Sequence, residues 1–271
     1  MPNRPEHLGP PELFYNDVEA VKYTNNSRII DIQMRMSERA FELLLLPKDK
    51  VCLLLDIGCG SGLSGSVLEN KGHYWLGIDI SSAMLNIGVH RKIIGDTMLV
   101  DMGQGMPFKT ASFDGAISIS ALQWLCNIDN NKYVLRKRLD IFFSTLFATL
   151  SRSARAVFQF YPENDDQINI ITTAATRAGF FGGIMIDFPN SKSAKKVFLV
   201  IMTSTSMISP EYSRKDHVIT KTLTTRKRTN KTMITKLRKN RILEKKERNR
   251  RKGKFVKTDS KYSGRKRKNQ F

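Results

Sequence analysis

Val51-Cys-Leu-Leu-Leu-Asp-Ile-Gly-Cys-Gly-Ser-Gly62 decides the fold of this chain. The run from Val51 to Ile57 is apolar except for Asp56. It is too short for a helix and lacks the polar alternation of a half-exposed strand, so it predicts a strand buried on both faces of a parallel sheet. Gly58, Gly60 and Gly62 then remove Cβ atoms from alternate positions of the next turn, where the backbone can approach a ligand closely. From Leu63 to Asn70 the pattern reads as a helix, whose free amides and positive end face the same spot. Strand, glycine-rich turn and helix in this order predict a nucleotide-cofactor cradle at the carboxyl edge of an open α/β sheet.

The spacing discriminates between cofactors. A dinucleotide fingerprint, G-x-G-x-x-G, places its third glycine on Leu63 when counted from Gly58. Counted from Gly60 it is satisfied by Gly65, but then begins past the strand end. D-x-G-x-G-x-G, starting at Asp56, describes the stretch better. That is the S-adenosylmethionine (SAM) pattern, in which the glycines hug the amino-acid part of the cofactor. NAD stays open as the alternative at this point.

Two further acids bear on it. His73–Asp79 reads as a second strand ending in a carboxylate, where a ribose diol is held in either cofactor class. Asp101 closes a third short strand and is followed by Met102 and a glycine-rich loop. Its carboxylate can accept from the exocyclic amine of adenine, with Met102 packed on the ring face. Any one of these acids could be a solvated loop residue; three at successive strand ends are spaced to clasp one nucleoside. The candidate cofactor residues are therefore Asp56, Gly58, Gly60, Gly62, Asp79, Ile80, Asp101, Met102 and Ser118.

Outward from this centre, Pro2, Pro5, Pro10 and Pro11 predict an irregular N-terminal arm, and Asn26 or Ser27 caps a long helix reaching Leu46. Strands are expected at 51–57, 74–79, 97–101, 113–119, 154–160, 183–188 and 196–203. Helices are expected at 62–70, 82–92, 133–150 and 165–178, the last opened by Asn164 with Gln167 as a capping box and closed by Gly179. Pro189–Lys195 is too short for a parallel crossover, so the last two strands form an antiparallel hairpin. A Rossmann-like, mostly parallel seven-stranded sheet with an antiparallel last strand is the arrangement of class I SAM methyltransferases, and NAD-binding domains lack the closing strand.

Charge divides the chain. Residues 1–206 carry 21 Lys and Arg against 20 Asp and Glu, whereas residues 207–271 carry 24 against 5. The expected organisation is an N-terminal arm and helical lid (1–46), a methyltransferase domain (47–206) and a basic tail (207–271). The tail is too poor in apolar residues to offset its ordering entropy, and is expected to be largely disordered apart from a helix around Thr235–Arg251. Its runs at 245–254 and 264–268 suit phosphate neutralisation or nuclear import, with a plain solvated tail as the alternative. Cys52, Cys59 and Cys126 have neither disulfide nor ligand spacing, and His7, His73, His90 and His217 form no cluster, so no metal is expected. No apolar run reaches the roughly 20 residues that span a bilayer.

Asp114–Trp124 is the segment that should meet the transferred methyl. It lacks the Asn/Asp-Pro-Pro-aromatic element that orients an exocyclic amine, and no Lys, Cys or His stands there as a base. A ring nitrogen with its own lone pair needs neither, because its methylation is mainly a matter of proximity and alignment. Trp124 can stack a base or serve as a core residue beneath the loop.

Pro5-Glu-His, Gly9-Pro-Pro-Glu-Leu-Phe-Tyr15, Asn26-Ser-Arg-Ile-Ile-Asp-Ile-Gln33, Leu54–Gly65, Asp101-Met-Gly-Gln-Gly105, Ser118–Ala121 with Gln123-Trp-Leu-Cys126, Tyr161-Pro-Glu-Asn164 and the tail's 244–248 and 264–268 together carry a resemblance. The chain resembles the eukaryotic 18S rRNA (guanine-N7)-methyltransferases nearly end to end. The resemblance implies methylation of a small-subunit rRNA guanine at N7 with SAM, in nucleus and nucleolus, with the cytoplasm as a further location. A role in small-subunit processing, maturation and export, separable from catalysis, is implied too. So is a small zinc-binding activator protein that adds a strand at the sheet edge near Met98–Met102. It further implies that Gln123 and Trp124 sit near the methyl, and that Tyr23, Asn26 and Arg28 form a lid over the substrate.

Overall fold

The computed structural model describes residues 4–127, 132–191, 194–204, 218–223, 245–254 and 256. Two compact units emerge, Met1–Thr225 and Arg226–Phe271. In the first, the glycine-rich stretch folds as anticipated: β1 (Leu53–Ile57), the turn, and α4 (Leu63–Asn70). Before them stand α1 (Pro11–Phe14), α2 (Asp17–Asn25) and α3 (Ser27–Leu44). After them come β2 (Tyr74–Asp79), α5 (Ser82–His90), β3 (Asp96–Leu99), β4 (Phe113–Ile119), α6 (Leu122–Asn127), α7 (Lys132–Thr149) and β5 (Leu150–Phe160). The unit ends with α8 (Asp165–Ala178), β6 (Phe181–Asp187), β7 (Lys196–Met202) and β8 (Val218–Leu223).

The strand order is β3-β2-β1-β4-β5-β7-β6-β8. β1 to β5 are parallel, β7 runs antiparallel between β5 and β6, and β8 is antiparallel to β6. Seven of these strands are those expected. The eighth lies inside the stretch read as a structureless tail, where Val-Ile-Thr-Lys-Thr-Leu is β-branched enough to pair but sits among basic residues that masked it. In the second unit the described residues include a helix over 245–251, with Arg251 Nη2 3.9 Å from Glu247 Oε1. The rest of the tail reading lies outside the described residues.

Period-two alternation builds two cores from one sheet. Leu55, Ile57, Ala116 and Phe158 face one way, against Leu139, Phe142, Phe143 and Leu146 of α7 and Ile171 of α8. Leu54, Ile117, Val157 and Phe198 face the other, against Met36, Ala40 and Leu43 of α3 and Leu68 of α4. Asn164 Oδ1 caps α8 through the amide of Gln167, while Gln167 Oε1 reaches back to the amide of Glu163, 2.8 Å in each case. The N-terminal arm is a correction: it is not irregular. Pro11 takes the first position of α1, where its missing N–H costs nothing, and Asn16 Oδ1 accepts from the amides of Val18 and Glu19 to start α2.

Candidate functional site

A cleft opens at the carboxyl ends of β1, β2 and β4, with about 890 Å³ free of atoms and partly open to solvent. The turn after β1 forms its floor. The amides of Gly58 and Cys59 both donate to the carbonyl of Ile78, so the turn is hung on β2 as well as β1. Gly58 and Gly60 have φ of +74° and +54°, and a Cβ on Gly58 would lie 2.3 Å from the Cβ of Ala121. Glycine is required here both by conformation and by space.

Asp79, at the end of β2, accepts from the amide of Gly60 through Oδ2 and from the amide of Ser81 through Oδ1, 2.8 Å each. Burial raises its pKa, opposed by those amides. The backbone amide of Ile80 also favours the charged form, and Asp79 lines the cleft. Asp101 follows β3 and lines the same cleft beside Met102. Its Oδ1 accepts from Gly103 N and from Arg138 Nη2, both at 2.8 Å; Oδ2 accepts from Arg138 Nη2 at 3.1 Å and from Gln104 Nε2 at 3.2 Å.

The mouth is closed on one side by the N-terminal strap. Tyr15 and Phe14 pack against Trp124, with ring centroids 5.5 and 5.6 Å away, and Tyr23 meets Tyr15 edge-on at 5.6 Å. Ser81 Oγ donates to the carbonyl of Tyr15, Thr24 Oγ1 to Ser61 Oγ, and Arg4 to the carbonyls of Tyr161 and Pro162. Burial, and after it nearby phenols and Asp79, push both the Tyr15 and Tyr23 phenols far above their usual range, so both stay protonated.

Of the expected cofactor residues, Gly58, Gly60, Asp79, Ile80, Asp101 and Met102 line this cleft. Three others stand behind it. Asp56 is fully buried and accepts from Ser64 Oγ at 2.5 Å; burial drives its pKa to about 7. Gly62 precedes α4 with φ +79°, against Ile93. Ser118 Oγ donates to the carbonyl of Ile57 at 2.8 Å, tying β4 to β1. Trp124 and Tyr23 line the cleft, whereas Gln123 turns back, its Nε2 donating to the carbonyl of Ser120. Asn26 is the cap of α3, its Oδ1 accepting from Ile29 N, and Arg28 is exposed outside the cleft lining. Residues that sequence reasoning missed include Pro11, Tyr15, Gln33, Met84 and Arg138. Among the described residues no group of three His, Cys, Asp or Glu is placed to hold a metal ion, and no helix is long and apolar enough to cross a membrane.

A parallel sheet closed by an antiparallel β7, with three glycines after β1 and acids at the next two strand ends, defines a class I SAM-dependent methyltransferase. A family described as "Methyltransferase domain" matches residues 55–138, and one described as "Methyltransferase involved in Williams-Beuren syndrome" matches residues 203–269. Magnesium protoporphyrin IX methyltransferase from Synechocystis PCC 6803, solved with bound SAM, shares the fold at TM-score 0.53 and 15% identity, covering 74% of this chain and 98% of its own. So does a structure described as a complex with the Haloferax volcanii Trm112 methyltransferase activator, at TM-score 0.52, 16% identity and coverages of 69% and 96%. The 18S rRNA (guanine-N(7))-methyltransferase of Mus musculus is 52% identical over 276 residues, which span 99% of this chain and 98% of that one. The chain belongs to the 18S rRNA (guanine-N7)-methyltransferase family.

Proposed function

We propose that this protein methylates N7 of a guanine in 18S rRNA, and that the cleft described above holds SAM and the base together. The observation that carries this is the 52% identity to an 18S rRNA (guanine-N(7))-methyltransferase over nearly the whole chain. Bound SAM supplies an electrophilic methyl on a sulfonium. With SAM held there, the N7 lone pair would form the new N–CH3 bond as the S–CH3 bond breaks, leaving that electron pair on a thioether sulfur and the positive charge on the base. No proton moves. The wall formed by Ser120, Ala121, Trp124 and Leu125 fits this, since it carries no ionisable side chain. Gly58 and Gly60 cradle the methionine part, Asp79 takes the ribose diol and Asp101 the adenine amine. Trp124 presents a ring for the guanine, and the neighbouring Tyr15 suits a cationic product through its π face.

The sheet edge and the basic composition of the tail support the reading of the partners. β3 ends the sheet, with Leu99 and Met98 exposed and Ile94 beside them. An exposed apolar edge of this kind fits strand addition by a small zinc-binding activator protein, and the Haloferax complex pairs a methyltransferase with an activator. The basic tail serves rRNA contact and import into nucleus and nucleolus, and the protein also acts in small-subunit maturation and export. Borohydride–aniline mapping of N7-methylguanosine tests the central reading. Depletion should erase one small-subunit site, restored by the wild-type chain but not by a folded Asp79→Lys variant. Survival of every site would sink it.

A further inference from the structure

The geometry points to Arg138 as a positioning residue for the adenine end of the cofactor site. This rests on the assignment of Asp101 to the adenine amine. Apart from Arg138, the donors to the Asp101 carboxylate are Gly103 and Gln104, which belong to its own short 3-10 turn. Arg138 comes from α7, 37 residues further on, and its Nη2 bridges both carboxylate oxygens at 2.8 and 3.1 Å. A loop carboxylate is thereby fixed to a helix, by a charge-assisted pair whose side chains are only 19% and 15% exposed. Of the four contacts on Asp101 the longest, 3.2 Å, comes from the exposed amide of Gln104, so that is the one an incoming amine replaces most cheaply. Two further features show that the chain is shaped around this contact. A Cβ on Gly103 would lie 2.4 Å from Arg138 Nη2, and Arg138 Nε is buried with no hydrogen-bond partner, an arrangement kept although it leaves a donor unsatisfied.

The test compares binding of S-adenosylhomocysteine and S-inosylhomocysteine to the full-length protein by calorimetry. The second ligand carries an oxo group in place of the amine, so it offers Asp101 no amine donor. Arg138→Met should weaken the adenosyl ligand about tenfold and the inosyl ligand by less than about twofold, as expected for loss of support to one charged hydrogen bond. Arg138→Lys should restore most of the preference. Gly103→Ala, which retains the arginine but displaces its head group, should reproduce the selective loss, and it carries the test if Arg138→Met melts at assay temperature. Equal weakening of both ligands, an unchanged preference, or tighter adenosyl binding overturns the positioning role. A wild-type protein that binds both ligands alike overturns the adenine assignment itself.

Discussion

Gly58→Ala is the sharpest probe of the cradle because its cost has two separable parts. The residue sits at φ +74°, a region that costs an L side chain roughly 1–2 kcal/mol. The added methyl would also stand 2.3 Å from the Cβ of Ala121, an overlap worth about 1–3 kcal/mol if the two strand ends cannot part. The summed loss, about 2–5 kcal/mol, divides between folding stability and cofactor affinity according to how far the turn relaxes when empty. Both should therefore be measured, stability by urea unfolding and affinity by calorimetry with S-adenosylhomocysteine. Ala121→Gly on the same chain removes the overlap and leaves the backbone strain. The double variant should thus recover about 1–3 kcal/mol over Gly58→Ala, a coupling expected of groups in contact. A Gly58→Ala protein with wild-type stability and affinity, or a double variant no better than the single, would refute the reasoning.

Asp56 titrates with a folded pKa of about 7 against the model-compound 3.8, so the native chain holds a proton that the unfolded chain releases. Stability from this group is full below pH 4 and falls by roughly 4 kcal/mol at most as pH climbs to about 7. Asp56→Asn cannot titrate, so its unfolding free energy relative to wild type should rise across pH 4–7 and then level off; parallel pH curves would count against a buried protonated Asp56. Trp124→Ala removes the ring against which Phe14 and Tyr15 pack, and hydrogen exchange should rise in residues 11–25 while β1 and β4 keep their protection. An increase spread evenly over the domain would show that Trp124 holds the core instead. Leu99→Lys changes a side chain 61% exposed at the open edge, so the free chain should lose less than about 0.5 kcal/mol while capture of the activator falls sharply. Undiminished capture would place the partner elsewhere.

What the sequence disclosed follows the range of the interactions involved. β2, β4 and α8 are where the pattern puts them to the residue, because alternation, an Asn cap and Gly179 at φ +107° act over a few positions. Glycines with a conformational reason were equally legible. Asp56, Gly62 and Ser118 belong to the right motif, yet they serve the scaffold of the cleft, and which side of a strand end reaches a ligand depends on packing several strands away. Asn26 is a helix cap, as its residue type announced. Tyr15 and Arg138 could not be found by spacing, since each reaches the cleft through tertiary packing, Tyr15 on Trp124 and Arg138 on Asp101. β8 was hidden by charge: six residues of good strand propensity were averaged into a run of lysines and arginines.

The strap over the mouth is held differently from the floor of the cleft. Arg4, Tyr15 and Thr24 fasten it with a few hydrogen bonds, and its short helices α1 and α2 lie on the sheet's rim rather than in its core. Such a cover unfastens far more cheaply than the strands beneath it, without disturbing them. A ligand passing Tyr15 would therefore need only local opening of the strap, with the strands beneath it left in place.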